Sequence, residues 1–396
     1  MVNTMRWLTT AQVAHRLGVK PATVYAYVSR GVLHSHRSAD RDSRFDSREV
    51  EQLALRGRPR QASQSPALDI RVETSVTEID DHHIRFRGHD ALELAQAVSF
   101  EQAAELLWSG VRANPGPSWR GEQFDAPADR IGERLRLIAA HAAVGRSGHL
   151  DHETVVGEGR RLIATMVDSL PLAGDGRCPR LLLPDGTAVR GTLAGRLWAR
   201  LTPRRAVPEL VHTLNAAMVL LTDHEMAAST LAARVAASTR AGVHGVVAAG
   251  MGALSGPLHG GESARTRRVL AQLADTPVAQ VIDDALDRYG RLPGFGQVLY
   301  PRGDPRAALL LDMLRQAGAA HALQPVEQLV AAAAPRGLPP PNVDLALAAV
   351  GLAAGMPEDA GEAIFTPARV VGWLAHAMEE YDERALRFRP RAVYLG

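Results

Sequence analysis

Four polar segments interrupt the otherwise apolar, helix-periodic sequence of this 396-residue chain. They are Thr222-Asp223-His224-Glu225, Gly256-Pro257-Leu258-His259-Gly260-Gly261, Leu292-Pro293-Gly294-Phe295-Gly296-Gln297 running on to Asp304-Pro305-Arg306, and Pro341-Asn342-Val343-Asp344. Asp and His can exchange protons, His and Gln can donate to a developing oxyanion, and Arg can clamp a carboxylate through two parallel bonds. Singly, each segment also has a purely structural explanation. A His after Gly-Pro can simply end a helix, and Asn-Val-Asp can simply cap one. It is their joint occurrence, in this order, that carries information.

The elements that must hold these groups are nearly all helical. Helix-period apolar faces run through Phe100 to Leu107, Leu135 to Ala143 and Leu210 to Leu221. Extended pieces are expected only around Ile70 to Ile84 and around Leu181 to Val189, the latter with Asp185-Gly186 as its hairpin turn. No Gly-rich phosphate loop follows a buried strand, so a Rossmann or P-loop reading has no support. A single cysteine, Cys178, excludes an internal disulfide framework and a multi-cysteine zinc site, and no metal site is expected. The longest apolar stretches, such as Val207 to Leu221, are broken by Glu, His or Asn and fall short of the roughly 20 apolar residues of a membrane span. The N-terminus lacks a basic stretch followed by an apolar run. A cytoplasmic protein with no membrane association is the expectation.

Charge divides the chain. Residues 1–66 carry a net +6 and the remainder −4, which suggests a polyanion partner for the first part only. Within that part, Thr9 or Thr10 can cap a helix running to Leu17, ended by Gly18, with Val13 and Leu17 on one face. Pro21 suits the first turn of a second helix with Val24 and Val28 inward, closed by Gly31. Leu33 to His36 and Arg44-Phe45 form two short strands around a polar loop, and Asp46 with Glu49 matches a capping box opening a helix through Leu55. This pattern resembles the MerR/excisionase type of winged helix-turn-helix over residues 7–55. The resemblance implies a second helix in the DNA major groove, with Lys20, Thr23, Tyr25, Tyr27 and Arg30 outward and Arg37, Arg41 and Arg44 near phosphates. The alternative is a helical module kept for dimer or partner contacts. Residues 57–67 then read as a linker.

Residues 68–396 resemble the citrate synthase family. The resemblance rests on Val72 to Asp80 and Arg85-Phe86-Arg87-Gly88, on Ser99 to Gly110, and on the run from Asp223 to Ser263, which follows the family's "DHE…NAST…AAG…GPLHGG". Phe365 to Arg369 and Arg389-Pro390-Arg391 complete it, while residues 111–209 match only in helical character. It implies a mainly α architecture, a citrate synthase fold preceded by the small winged domain of residues 1–56. Its large domain would span 68–260 and 354–396, and its small domain 261–353. It also implies condensation of acetyl-CoA with oxaloacetate or a related 2-oxo acid, giving citrate and CoA. No cofactor is needed beyond the coenzyme A thioester, which is a substrate. In that scheme Asp344 is the base and His259, as a neutral ring, donates to the thioester oxygen. His224, Arg306, Arg369 and Arg389 bind the oxo acid, Arg389 reaching across from the other subunit of a homodimer.

One departure matters. Where the family's "PGFGH" motif places a second catalytic His, this chain has Gln297. Its amide can donate a hydrogen bond but cannot release a proton at working pH, so help from a general acid, worth on the order of 10²–10⁴ in rate, is lost unless water substitutes. Leu221 also replaces the first His of "HADHE". Three readings follow: a condensing enzyme, slowed or altered in substrate; a DNA-binding regulator that senses acyl-CoA or a 2-oxo acid through a catalytically weakened domain; or a partner subunit of an active family member.

Overall fold

The computed structural model describes residues 7–17, 19–37, 43–47, 49–50, 53, 72–80, 83–113, 118–145, 150–256 and 259–389. The expected linker at 57–67, the helix stop at Gly18, the phosphate neighbour Arg41 and the side chain of Arg37 lie outside the described residues.

In the N-terminal module, helix α1 (Thr10–Leu17) begins at a reciprocal cap: the Gln12 N–H donates to Thr9 Oγ1 at 3.3 Å and the Thr9 N–H to Gln12 Oε1 at 2.8 Å. Helix α2 (Pro21–Ser29) has Pro in its first turn, as expected. Strands β1 (Trp7–Thr9), β2 (Ser35–Arg37) and β3 (Ser43–Asp46) form an antiparallel sheet in the order β1-β3-β2. The strand β1 was not legible, because three residues carry no periodicity. Val13, Ala14, Val24, Leu33, Phe45 and Val50 make a small separate core.

One local expectation fails here. Tyr27 is not outward; it packs against that core, because three positions after Val24 it falls on the same helical face. The Glu49 carboxylate takes the backbone N–H of His34 at 3.0 Å and lies 2.6 Å from His34 Nδ1. Lys20, Tyr25 and Arg30 are exposed, Thr23 is half-buried, and Arg44 sits half-buried on β3.

The rest of the described chain is mainly helical. It opens with a small antiparallel sheet of β4 (Thr77–Ile79), β5 (Ile84–Phe86) and β6 (His89–Asp90), followed by α3 (Ala91–Ala97) and α4 (Phe100–Ser109). Helices α5 (Ile131–Ala143) and α6 (His152–Asp168) precede the hairpin β7 (Leu181–Leu182) and β8 (Ala188–Val189). At its turn Gly186 has φ +84° and Asp185 Oδ1 accepts the Thr187 N–H at 2.8 Å. Helices α7 (Leu193–Leu201), α8 (Pro208–Leu220), α9 (Ala228–Ser238) and α10 (Val243–Leu254) come next, then α11 (Glu262–Gln272), α12 (Val278–Tyr289), α13 (Pro305–Gln316), α14 (Ala320–Ala333), α15 (Val343–Ala354) and α16 (Ala360–Asp382).

One apolar core runs through this body. Helix α16 is its axis: it packs against α4, α5, α6, α8, α9, α10, α11 and α15 and buries residues on every side, Trp373 among them. Burial all round explains why its sequence has no polar stripe. Helix α15 is packed by α11, α13 and α14. No helix among the described residues is long and apolar enough to cross a membrane.

Candidate functional site

The first segment is positioned by the end of α8. Arg369 on α16 donates through Nε to the Leu221 carbonyl at 2.9 Å, and the Gly372 N–H donates to the Thr222 carbonyl at 2.9 Å. Gly372 is required there, since a Cβ would collide with the Thr222 carbonyl and with Asp223 Oδ1. Asp223 is fully buried and accepts from Thr77 Oγ1 at 2.6 Å and from the Glu225 N–H at 3.2 Å. Burial pushes its carboxyl up, but His376, Arg369 and Thr77 together outweigh that and hold it below the usual range.

Behind Asp223 lies a buried chain of charge. Arg234 Nη1 donates to His376 Nδ1 at 2.9 Å, so Nδ1 must be the bare nitrogen and the proton sits on Nε2, 3.3 Å from Asp223 Oδ2. Arg234 also pairs with Glu379 at 2.9 Å and Glu380 at 3.1 Å, and Arg387 pairs with Glu380 at 2.6 Å. This network ties α8, α9, α16 and strand β4 together, and so fixes where His224 stands.

His224 is 8 % exposed, and its Nε2 lies 3.0 Å from the Tyr300 hydroxyl. Burial, then Arg306, Arg369 and His259, push the imidazole well below its ordinary pKa, so the ring is neutral. Arg306 is 2 % exposed in the first turn of α13 and is gripped by its own cap residue: Asp304 takes Nε at 3.0 Å and Nη2 at 2.8 Å. Its guanidinium also lies 5.5 Å from the Tyr300 ring centre. Arg369 is 1 % exposed, stacks over Phe365 at 4.8 Å, and has Nη1 buried without a hydrogen-bond partner among the described residues. Burial first lowers its pKa, to about 10, and Arg306 adds to that. Two buried guanidinium groups that repel each other, one with a bare donor, beside a neutral His, make a site that an anion would complete.

His259 is half-buried, with Nε2 2.8 Å from Ser229 Oγ and its ring edge-on to Phe365. Burial, then Arg369, lower its pKa to about 4, so this ring is neutral too. Asp344 lies in the first turn of α15, after Asn342 caps that helix by accepting the Asp344 N–H at 3.0 Å. Burial and then Glu262 raise its carboxyl to about 7, against a pull downward by Arg306.

The third segment is zipped to the Asp344 loop. The Gly296 N–H donates to the Pro340 carbonyl at 2.8 Å, the Asn342 N–H to the Gly294 carbonyl at 2.9 Å, and Asn342 Nδ2 to the Gly296 carbonyl at 2.9 Å. Both glycines have φ above +80°, which other residues adopt only with strain. Gln297 follows this zipper, half-buried, its carbonyl accepting the Tyr300 N–H at 3.1 Å.

The structure therefore brings His224, His259, Arg306 and Arg369 into one electrostatic cluster, couples Asp344 to it through Arg306, and holds Gln297 on the loop clipped to Asp344. It does not bring Arg389 to them within one chain; that residue is exposed beyond the end of α16. Sequence reading missed Tyr300, Asp304 and Ser229 as partners, although Asp304 and Tyr300 lie in the segment leading to Arg306. It also missed the Arg234–His376–Glu380 network, for which helical sequence carries no signal. Among the described residues no group of three or more His, Cys, Asp or Glu is placed to hold a metal ion.

Comparison with known proteins agrees with this geometry. Residues 187–391 match the family model described as citrate synthase, C-terminal domain, and residues 7–58 match a helix-turn-helix domain model. The chain is 30% identical over 359 residues to a citrate synthase of Haloferax volcanii, covering 81% of this chain and 92% of that one. It is 28% identical over 354 residues to 2-methylcitrate synthase 2 of Corynebacterium glutamicum, covering 82% and 92%. The crystal structure of citrate synthase from Thermotoga maritima shares the fold, with a TM-score of 0.66 at 24% identity over 84% of this chain and 96% of that one.

Proposed function

Because the chain belongs to the citrate synthase family and carries a helix-turn-helix domain ahead of it, we propose that it condenses acetyl-CoA with oxaloacetate, or a closely related 2-oxo acid, to give citrate or its homologue and free CoA. The observation that carries this reading is the cluster of two neutral rings, His224 and His259, with two buried guanidinium groups, one of which, Arg306, acts on a carboxyl raised to about 7, Asp344.

Ionised Asp344 takes a proton from the acetyl methyl group. With the Ser229 hydroxyl donating to His259 Nε2, His259 Nδ1 carries the proton offered to the thioester oxygen as negative charge develops there. The enol carbon then attacks the keto carbon of an oxo acid whose carboxylates are held by Arg306 and Arg369, with His224 donating as well. Gln297 can steady the oxygen that becomes alkoxide; the proton that oxygen needs then comes from water. Hydrolysis of the citryl thioester by a second water releases CoA. The kinship with 2-methylcitrate synthases leaves propionyl-CoA a natural second acyl donor to assay.

The same reading takes the large domain as 68–260 and 354–396, the small domain as 261–353, and the assembly as a cytoplasmic homodimer in which Arg389 completes the partner's site. The test is release of CoA from acetyl-CoA and oxaloacetate, followed with a thiol reagent after blanking the exposed Cys178. Absence of release from any acyl-CoA and 2-oxo acid pair would remove the enzyme reading.

A second reading has a specific observation in its favour. The helix-turn-helix module presents Lys20, Tyr25 and Arg30 outward on a strongly basic segment, which suits a DNA-binding regulator responsive to the ligands of the condensing domain. The two readings are compatible. Acyl-CoA or oxo acid that changes affinity for the chain's own upstream DNA would establish the second.

A further inference from the structure

Glu262 opens α11 directly after the Gly260-Gly261 turn that follows His259, and it is 4 % exposed. Its Oε2 receives Arg291 Nη2 at 2.8 Å and lies 3.6 Å from Arg265 Nη1. Its Oε1 is buried with no hydrogen-bond partner among the described residues. A buried carboxylate with one bare oxygen is costly, and such groups persist mainly where they serve a function.

The start of α11 lies against the start of α15. Gly294 fills the gap between Thr266, one turn on from Glu262, and Leu345, the neighbour of Asp344. A Cβ there would come 2.7 Å from Thr266 Cγ2 and 3.1 Å from Leu345 Cβ. Thr266 Oγ1 in turn donates to the Glu262 carbonyl at 2.9 Å. Two acidic residues thereby each stand in the first turn of one of two packed helices. The charged groups acting on Asp344 are Glu262 and Asp304, which raise its pKa, and Arg306 and Arg291, which lower it; after burial, Glu262 has the largest effect.

We propose that Glu262 is a positioning residue for proton transfer, whose buried charge, held by Arg291, sets how tightly Asp344 keeps the proton it takes from the acyl-CoA. This deepens the reading of Asp344 as the base and rests on it for the proton's origin, but not for the coupling of the two carboxylates.

The test is a titration by NMR of the full chain labelled with ¹³C at its aspartate carboxyl carbons, the Asp344 resonance being identified by its loss in Asp344→Asn. Wild type and Glu262→Asp should titrate near 7. Glu262→Gln should titrate lower, since it removes a charge that raises the Asp344 carboxyl. Arg291→Gln should titrate higher than wild type. Coincident midpoints in wild type and Glu262→Gln, or shifts of the two variants in the same direction, overturn the proposal. Should Glu262→Gln fail to fold, Arg291→Gln carries the test through its upward shift, and no shift there overturns it. CoA release against pH in the same proteins keeps the two ideas apart. Opposed NMR shifts without any CoA release cost the enzyme reading alone, and release with unmoved midpoints costs the Glu262 coupling alone.

Discussion

Asp304 Oδ2 accepts both the Arg306 guanidinium, at 2.8 Å, and the Val343 backbone N–H, at 3.0 Å. The carboxylate that aims the anion clamp thus also anchors the start of the helix bearing Asp344. Asp304→Ala is expected to leave Arg306 buried and unpaired and to free the α15 terminus together. The cost should be about 3–5 kcal/mol of stability in urea unfolding, with a fall in kcat/KM larger than the loss of folded protein explains.

Arg369 is buried, its Nη1 has no hydrogen-bond partner among the described residues, and its Nε donates to the Leu221 carbonyl. Arg369→Met removes that Nε bond and a charge that helps hold Asp223 below its usual range, and should unfold at a lower urea concentration than wild type. Its KM for the oxo acid should rise by roughly 10–10² for loss of one charge-assisted contact, while KM for the acyl-CoA changes little.

In the proposed condensation, Gln297 stands at the step where the alkoxide needs a proton. Gln297→His should raise the rate of CoA release, by up to the roughly 10²–10⁴ that a positioned general acid contributes. The measurement is kcat at saturating substrates. An unchanged or lower kcat would mean that this chain's pocket is built around the amide.

The raised carboxyl of Asp344 gives opposite pH dependences for stability and turnover. Asp344 is raised to about 7 from about 3.9 in an unfolded chain, so the folded state binds this proton more tightly. Its stabilising contribution is complete below pH about 4 and is lost as pH rises through 7. Asp344→Asn, which cannot ionise, should gain on wild type across that window by up to roughly 4 kcal/mol, at about 1.4 kcal/mol per unit, as read by urea unfolding at pH 5 and pH 8. Turnover needs the ionised form, so wild-type kcat/KM should climb with pH to a plateau above about 7. His259, at about 4, adds no limb above pH 5.

For the N-terminal module, the exposed and the buried residues of α2 predict different losses. Lys20→Ala and Arg30→Ala should leave the module folded and each reduce the slope of log affinity against log salt by about 1 on bound DNA. Val24→Ala, by contrast, empties a fully buried core position and should cost about 1–3 kcal/mol of module stability. Salt-insensitive binding would argue for a partner other than a polyanion.

How much of this was legible in advance depended on whether the cause was local. Pro21 in a first turn, Asn342 capping α15 and Gly186 in its hairpin are each decided within a few residues by dihedral limits and orphaned backbone donors, and each was found where expected. The four polar segments were visible because charged residues in apolar helical sequence are conspicuous. Tyr27 was misjudged because, as an amphipathic residue, it suits either face of a short helix. The tie between Glu49 and His34 was not legible because His34 lies far back along the chain from Glu49.

The sequence by itself determined the family and the helical architecture and nominated the candidate reacting groups, since these rest on residue types in order and on short-range periodicity. Only the tertiary structure decided the charge states of those groups. Whether His259 and His224 are neutral, whether Asp344 holds a proton near neutral pH, and that Glu262 is the strongest charge acting on it all depend on burial and on charges from other helices. The physical reason is that desolvation and Coulomb energy follow distance in space, and residues such as Glu262 and Asp344 meet only after the chain between them has folded.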